Sequence, residues 1–185
     1  SGTHVDLSTP EGKQWFYKTI RDYFSLIPPR MWAMIDGRPI IFLYSAAFAK
    51  KQDPKALEYA YESFEKDFAC RPYIAKEVSW QGKADATYAW GGALGPQWHD
   101  VLALGPGYDH HAVPGRQPLV REREDGKFYQ RSWESLFAKP KDKRPDIVMV
   151  ETWNELHEGT DIAETKEYGR KYIEMTAKYA SQFKQ

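Results

Sequence analysis

Glu155 and Glu158 stand three residues apart in an acid-rich stretch, Glu151-Thr152-Trp153-Asn154-Glu155-Leu156-His157-Glu158-Gly159-Thr160-Asp161. Two carboxyl groups at that spacing on one turn can face the same bound molecule. Cleavage of a glycosidic bond needs such a pair, one group to protonate the leaving oxygen and another to accept a proton or attack. The plainer alternative is a solvated loop pair followed by the acid of a helix start. Context favours chemistry. The preceding run, Asp146-Ile147-Val148-Met149-Val150, reads as a strand buried on both faces, and Lys166 to Lys184 reads as a helix. In α/β folds ligands gather at the carboxyl ends of parallel strands, where the strand-to-helix loops converge.

Other residues could serve the same site. Trp153 and Asn154 flank the acids, Asn154 suited to a sugar hydroxyl or to orienting Glu155. Trp80 and Trp90 fall near expected strand ends, where indole faces could stack on a sugar ring, although core packing is the ordinary fate of tryptophan. Glu77 ends a strand as well; the competing expectation is a salt bridge with Lys76 or Arg71. Tyr44, at a further strand end, could hydrogen-bond a hydroxyl or simply fill the core. His110 and His111, on a long loop, could bind sugar hydroxyls, or with His157 hold a metal. No H-E-x-x-H spacing supports the metal, so no metal or cofactor is called for. Gly91-Gly92 and Gly105-Pro106-Gly107 lack the helix-opening context of a phosphate loop, no G-x-S-x-G is present, and Cys70 has no evident base.

The elements that must position these groups alternate. Ser8-Thr9-Pro10-Glu11 opens a helix by capping logic, and Trp15, Phe16, Thr19, Ile20, Tyr23 and Phe24 continue it until Pro28-Pro29. Asp36-Gly37 turns into a strand over Arg38 to Ser45. Asp53-Pro54 caps a helix from Lys55 to Phe68. Strands follow at Arg71 to Trp80, Ala84 to Trp90 and Val101 to Leu104. Gly105 to Lys127 is loop-like, Phe128 to Ala138 is helical, and the strand before the acid stretch comes next. Strand and helix in alternation predict a parallel sheet. Five strands are countable, near residues 39, 73, 86, 101 and 147.

A (β/α)8 TIM barrel takes about 250 residues. The expectation is therefore the C-terminal part of such a barrel, a single domain over residues 1–185 without the first barrel strands. Those strands, or a second chain, would pair with it; alternatively Thr3 to Leu7 adds a strand to an open or dimer-completed sheet. Ser1-Gly2 is either a cloning scar or native. With 26 basic and 26 acidic residues and no long block of either, neither a nucleic-acid footprint nor an acidic-lipid surface is indicated. No run of about 18 apolar residues suggests a membrane span. The single cysteine, Cys70, excludes an internal disulfide and is expected to be a small buried residue. Of 7 Trp, 12 Tyr and 9 Phe most are expected to fill the core, but seven tryptophans, several near expected strand ends, exceed what packing ordinarily needs, which a neutral carbohydrate ligand would explain.

Trp153-Asn154-Glu155-Leu156-His157-Glu158-Gly159-Thr160, followed by Glu167-Tyr168-Gly169 and Tyr172, resembles the W-N-E-x-x-E-G-T segment of the endo-α-mannosidase and endo-α-mannanase glycoside hydrolases and of related bacterial barrels. The resemblance implies a (β/α)8 fold and an endo-acting, retaining glycoside hydrolase of an α-mannoside or other poly- or oligosaccharide; an extracellular or periplasmic location is expected. It implies Glu158 as general acid/base and Glu155 as the base toward the substrate 2-hydroxyl, with passage through a 1,2-anhydro sugar. Leu156 and Asp161 stand where the mannosidases more often carry an aromatic and a glutamine. Two other classes stay open: a non-catalytic carbohydrate-binding or degenerate barrel module, and a metal-dependent hydrolase using His110, His111 and His157.

Overall fold

The computed structural model describes residues 4–115, 117 and 119–184. Ser1, Gly2 and Thr3, on which the cloning-scar reading and the start of the extra strand rest, lie outside the described residues. The chain is mixed α/β and divides into two compact units, Ser1–Thr87 and Tyr88–Gln185.

In the first unit, β1 (Val5–Asp6) leads into α1 (Pro10–Leu26). Thr9 caps the helix, its hydroxyl accepting from the Gly12 N–H at 3.1 Å, with Pro10 in the first turn. Glycine is required at position 12 by close approach, since a Cβ there would sit 1.8 Å from the Asp6 carbonyl oxygen. The helix buries Phe16, Tyr17, Ile20 and Phe24, while Trp15 and Tyr23 face out. The hairpin of β2 (Met34–Ile35) and β3 (Arg38–Leu43) turns at Asp36-Gly37, both at positive φ as a tight primed turn requires. β3 alternates between the core (Ile41, Leu43) and the outer face (Phe42).

After β4 (Ala49–Lys51), which pairs in parallel with β1, comes α2 (Lys55–Phe68), whose first N–H is taken by the Asp53 carboxylate at 2.9 Å. β5 (Tyr73–Glu77) runs parallel to β3 with Ile40 opposite Tyr73. β6 (Ala86–Tyr88) completes the sheet order β2-β3-β5-β6. β5 is shorter than the expected Arg71 to Trp80 because Trp80 N–H bonds back to the Glu77 carbonyl at 3.0 Å and ends the strand in a turn. The core centres on Leu57, Phe64 and Ile74, with Phe64 edge-on to Phe24 at 5.0 Å. Truncating a buried phenylalanine of this kind costs about 3–5 kcal/mol. Cys70 is only half-buried, at the rim of this core.

In the second unit, β7 (Gln97–Trp98), β8 (Val101–Leu104) and β11 (Ile147–Val150) form a sheet of order β11-β8-β7. β11 lies parallel to β8 with Val150 opposite Leu104. The burial on both faces expected of Asp146–Val150 is not found there; it is β8 that is wholly buried. β11 is half-buried throughout, because it occupies the edge of this sheet and has a neighbour on one side only. Within the long loop, β9 (Tyr108–Asp109) and β10 (Val120–Arg121) pair antiparallel. α3 (Lys127–Phe137) and α4 (Lys171–Phe183) close the core through Tyr129, Trp133 and Tyr179, with Trp133 stacked on Tyr179 at 5.6 Å. The expected helix from Lys166 begins only at Lys171, since Thr165 and Gly169 bridge each other in a turn that puts Gly169 at φ 55°.

Candidate active site

The acid stretch leaves the end of β11 and closes on itself. Glu151 N–H extends the β8–β11 ladder to the Leu104 carbonyl at 2.9 Å. Thr152 and Thr160 then zip the two ends together, N–H to carbonyl at 2.9 Å and hydroxyl to hydroxyl at 2.8 Å. Within the loop, the Glu155 N–H bonds the Thr152 hydroxyl at 3.1 Å and the Glu155 carbonyl accepts from Thr160. Gly159 turns at φ 56° where Asp109 packs against it, and the Asp109 N–H bonds the Glu158 carbonyl at 2.8 Å. The loop is therefore pinned at both ends and at its tip.

Arg123 holds it from below. Its guanidinium reaches the Gly159 carbonyl, the Asp161 carbonyl and the Asp161 carboxylate, each at 2.9 Å, and lies over the rings of Tyr168 and Tyr172 at 4.4 and 4.5 Å. Both Arg123 and Asp161 are buried, so the pair is shielded from water, and the guanidinium divides its bonds between one carboxylate oxygen and two backbone carbonyls.

The loop presents Trp153, Asn154, Glu155 and His157 exposed and Glu158 half-buried. His157 Nδ1 stands 3.9 Å from the Glu155 carboxylate. One further carboxyl belongs to the site, and sequence reasoning passed over it. Glu151 is 2% exposed, and both its oxygens accept from the Gly91 N–H, at 3.2 and 3.0 Å. Burial pushes its carboxyl up from the usual glutamate range; the amides of Gly92, Gly91 and Ala93 pull the other way, and the negative charge of Glu158 adds to the rise. The Gly91-Gly92 pair, without a helix to make it a phosphate loop, thus serves a carboxyl of the chain itself. Trp90, 41% exposed, immediately precedes it. The position of Glu151 directly after a strand was a usable signal; its burial was not legible.

The two histidines of the long loop are held by their neighbours, His111 at the wall of the cleft beside the acid loop. His110 is buried with Tyr108 hydroxyl on one ring nitrogen at 2.9 Å and the Gln117 carbonyl on the other at 2.5 Å. His111 pairs with the Asp109 carboxylate at 2.5 Å. Among the described residues no group of three His, Cys, Asp or Glu is arranged to hold a metal. A cleft of 1120 Å³ opens beside the loop, with Tyr108, Asp109, Arg121, Asn154, Leu156 and Tyr168 among its walls.

Tyr44, Glu77 and Trp80 come together in the first unit. Trp80 is a core residue packed on Phe16 and Phe48, at 5.1 and 5.5 Å, with its indole N–H donating to the Tyr44 carbonyl. Glu77 is buried and accepts from the Ser79 N–H at 2.9 Å and from the Ser79 hydroxyl. The expected ion pair with Lys76 does not form; Lys76 donates instead to the Trp80 and Gly82 carbonyls at 2.7 Å. Tyr44 is exposed.

Glycoprotein endo-α-1,2-mannosidase-like proteins share 33% identity over 98 residues in Danio rerio, 30% over 98 residues in Mus musculus and 35% over 63 residues in Homo sapiens. The first two matches cover 45% of this chain, which spans 21% of those relatives' length. In fold, a GH99 endo-α-mannosidase from Bacteroides thetaiotaomicron superposes with a TM-score of 0.63 at 15% identity, over 95% of this chain and 62% of that one. A glycoside hydrolase-like protein does so with 0.69 at 17%, over 95% and 65%. The resemblance to the endo-α-mannosidases that the W-N-E-x-x-E-G-T segment suggested is thus found again in sequence and in fold. A family model described as a domain of unknown function, DUF5010, matches residues 1–185, and the chain belongs to that family.

Proposed function

We propose that this chain carries the acid-bearing part of a retaining, endo-acting glycoside hydrolase of α-mannosides, built as the C-terminal portion of a (β/α)8 barrel. The observation that carries the reading is the loop itself: Glu155 and Glu158 stand on a turn pinned by its own hydrogen bonds at the carboxyl end of a parallel strand. Glu155, exposed, takes the proton of the sugar 2-hydroxyl. That oxygen attacks the anomeric carbon while Glu158 protonates the departing glycosidic oxygen, giving a 1,2-anhydro sugar. Glu158, now a carboxylate, deprotonates water; the water opens the strained ring at the anomeric carbon and Glu155 returns its proton to the 2-oxygen. Two displacements at one carbon leave its configuration retained. Exposed Trp153, beside the acids, offers a ring face for a neighbouring sugar.

The test is hydrolysis of α-1,2-linked mannosides by the full-length protein and by Glu158→Gln and Glu155→Gln. Each substitution is expected to lower turnover by about 10²–10⁴-fold while mannoside binding persists. Unchanged turnover in either variant removes that residue from its role, and binding without hydrolysis by the wild type establishes a carbohydrate-binding module instead.

A further inference from the structure

The turn after β6 has few backbone partners of its own. Leu94 N–H closes it on the Gly91 carbonyl at 2.9 Å, which leaves the N–H groups of Gly91, Gly92 and Ala93 to be satisfied from elsewhere. The Gly91 N–H reaches both oxygens of the Glu151 carboxyl, at 3.2 and 3.0 Å, and the Gly92 and Ala93 amides follow it along the same turn. A buried carboxyl is costly unless its oxygens are satisfied, and successive amides make a concave seat that satisfies them. The surroundings are too tight for any rearrangement: a Cβ on Gly92 would come within 2.5 Å of the Ala103 carbonyl carbon, and one on Gly105 within 2.2 Å of the Glu151 carbonyl oxygen. An apolar side chain at 151 would fill the space but orphan the amides.

The seat joins two parts of the second unit. On one side stands Trp90, next to Gly91 and 41% exposed; on the other, the acid loop begins at Thr152. We propose that Glu151 is a positioning residue that ties Trp90 to the strand end from which the acid loop springs, and so fixes an aromatic platform for the sugar against the carboxyl pair. The sugar in this role rests on the glycosidase reading. The tie between Glu151 and the turn does not.

The two are separated by measuring amide exchange at Gly91–Ala93 alongside calorimetric binding of α-1,2-mannobiose, in wild type, Glu151→Ala, Glu151→Gln, Trp90→Ala and the Glu151→Ala/Trp90→Ala double variant. Glu151→Ala is expected to speed exchange at the three amides by about tenfold and to weaken mannobiose binding by about fivefold, as Trp90→Ala does. The double variant binds no more weakly than Trp90→Ala alone, because Glu151 acts through Trp90. Glu151→Gln, which keeps one acceptor oxygen and nearly the native shape, falls between wild type and Glu151→Ala. In turnover the effect falls on KM with kcat little changed. Additive binding losses, or a fall in kcat with KM constant, overturn the positioning role. Unaltered exchange in both Glu151 variants overturns the tie itself, and a wild type that binds no mannobiose while exchange responds overturns the sugar reading alone.

Discussion

Glu151, Glu155 and Glu158 lie on one short stretch and occupy three environments: buried on an amide seat, exposed, and half-buried. Residue type and spacing singled out the second and third, because catalysis by carboxyls is a matter of reach along one turn. Glu151 escaped notice because burial is a property of neighbours distant in sequence, here Gly91 to Ala93. Its environment has a consequence for stability. Burial raises its carboxyl, so the folded chain holds a proton that the unfolded chain releases in the usual glutamate range. Stability from this group is complete below that range and is lost as pH rises through the raised value. Chemical denaturation at a series of pH values from about 4 to 8 is expected to show wild type losing stability relative to Glu151→Gln as pH rises. Parallel curves for the two proteins would contradict it. The histidines show the converse lesson: His110 and His111 were candidates by type, and the partners that occupy their ring nitrogens, Tyr108, Gln117 and Asp109, became visible only in three dimensions.

Elements with a strong local signal were legible. α1, α2 and α3 follow from capping residues and helical spacing, and β3, β5, β8 and β11 from short apolar runs. Two-residue strands such as β9 and β10 have no period to detect, whereas β1 falls within the Thr3 to Leu7 segment read as an additional strand; the pairing of all three is decided by which backbones meet. The acid loop is likewise a product of contacts outside itself. Arg123, from the end of the long loop, supplies three hydrogen bonds to Gly159 and Asp161, and Asp161 already has one buried carboxylate oxygen without a hydrogen-bond partner. Arg123→Met is expected to leave Asp161 uncompensated and to cost about 3–5 kcal/mol of unfolding free energy in urea titrations. Arg123→Lys, which cannot reproduce the fork, recovers little of that loss. A cost below about 1 kcal/mol for Arg123→Met would mean that Arg123 does not hold the loop.

At the scale of the whole molecule, the balance of 26 basic and 26 acidic residues predicts a neutral ligand bound without ion pairing. Binding of a neutral mannoside is therefore expected to change by less than about twofold between 0.05 and 0.5 M salt, whereas an anionic ligand would show a steep dependence. The aromatic surplus divides between two jobs: Trp80 and Trp133 are core, while Trp15, Trp90, Trp98 and Trp153 remain substantially exposed, Trp98 with the Lys139 ammonium 4.3 Å from its ring centre. Composition alone could not apportion them, since indole suits a core and a sugar face equally. By itself the sequence determined the elements and the carboxyl pair, because helix caps, apolar periodicity and the spacing of two acids act over a few residues. Only the tertiary structure decided that β11 is a half-exposed edge, that Trp80 and Glu77 are interior, and that the buried Glu151 accepts from the Gly91 amide. Burial and hydrogen-bond satisfaction depend on atoms brought together from far along the chain, and no local pattern encodes them.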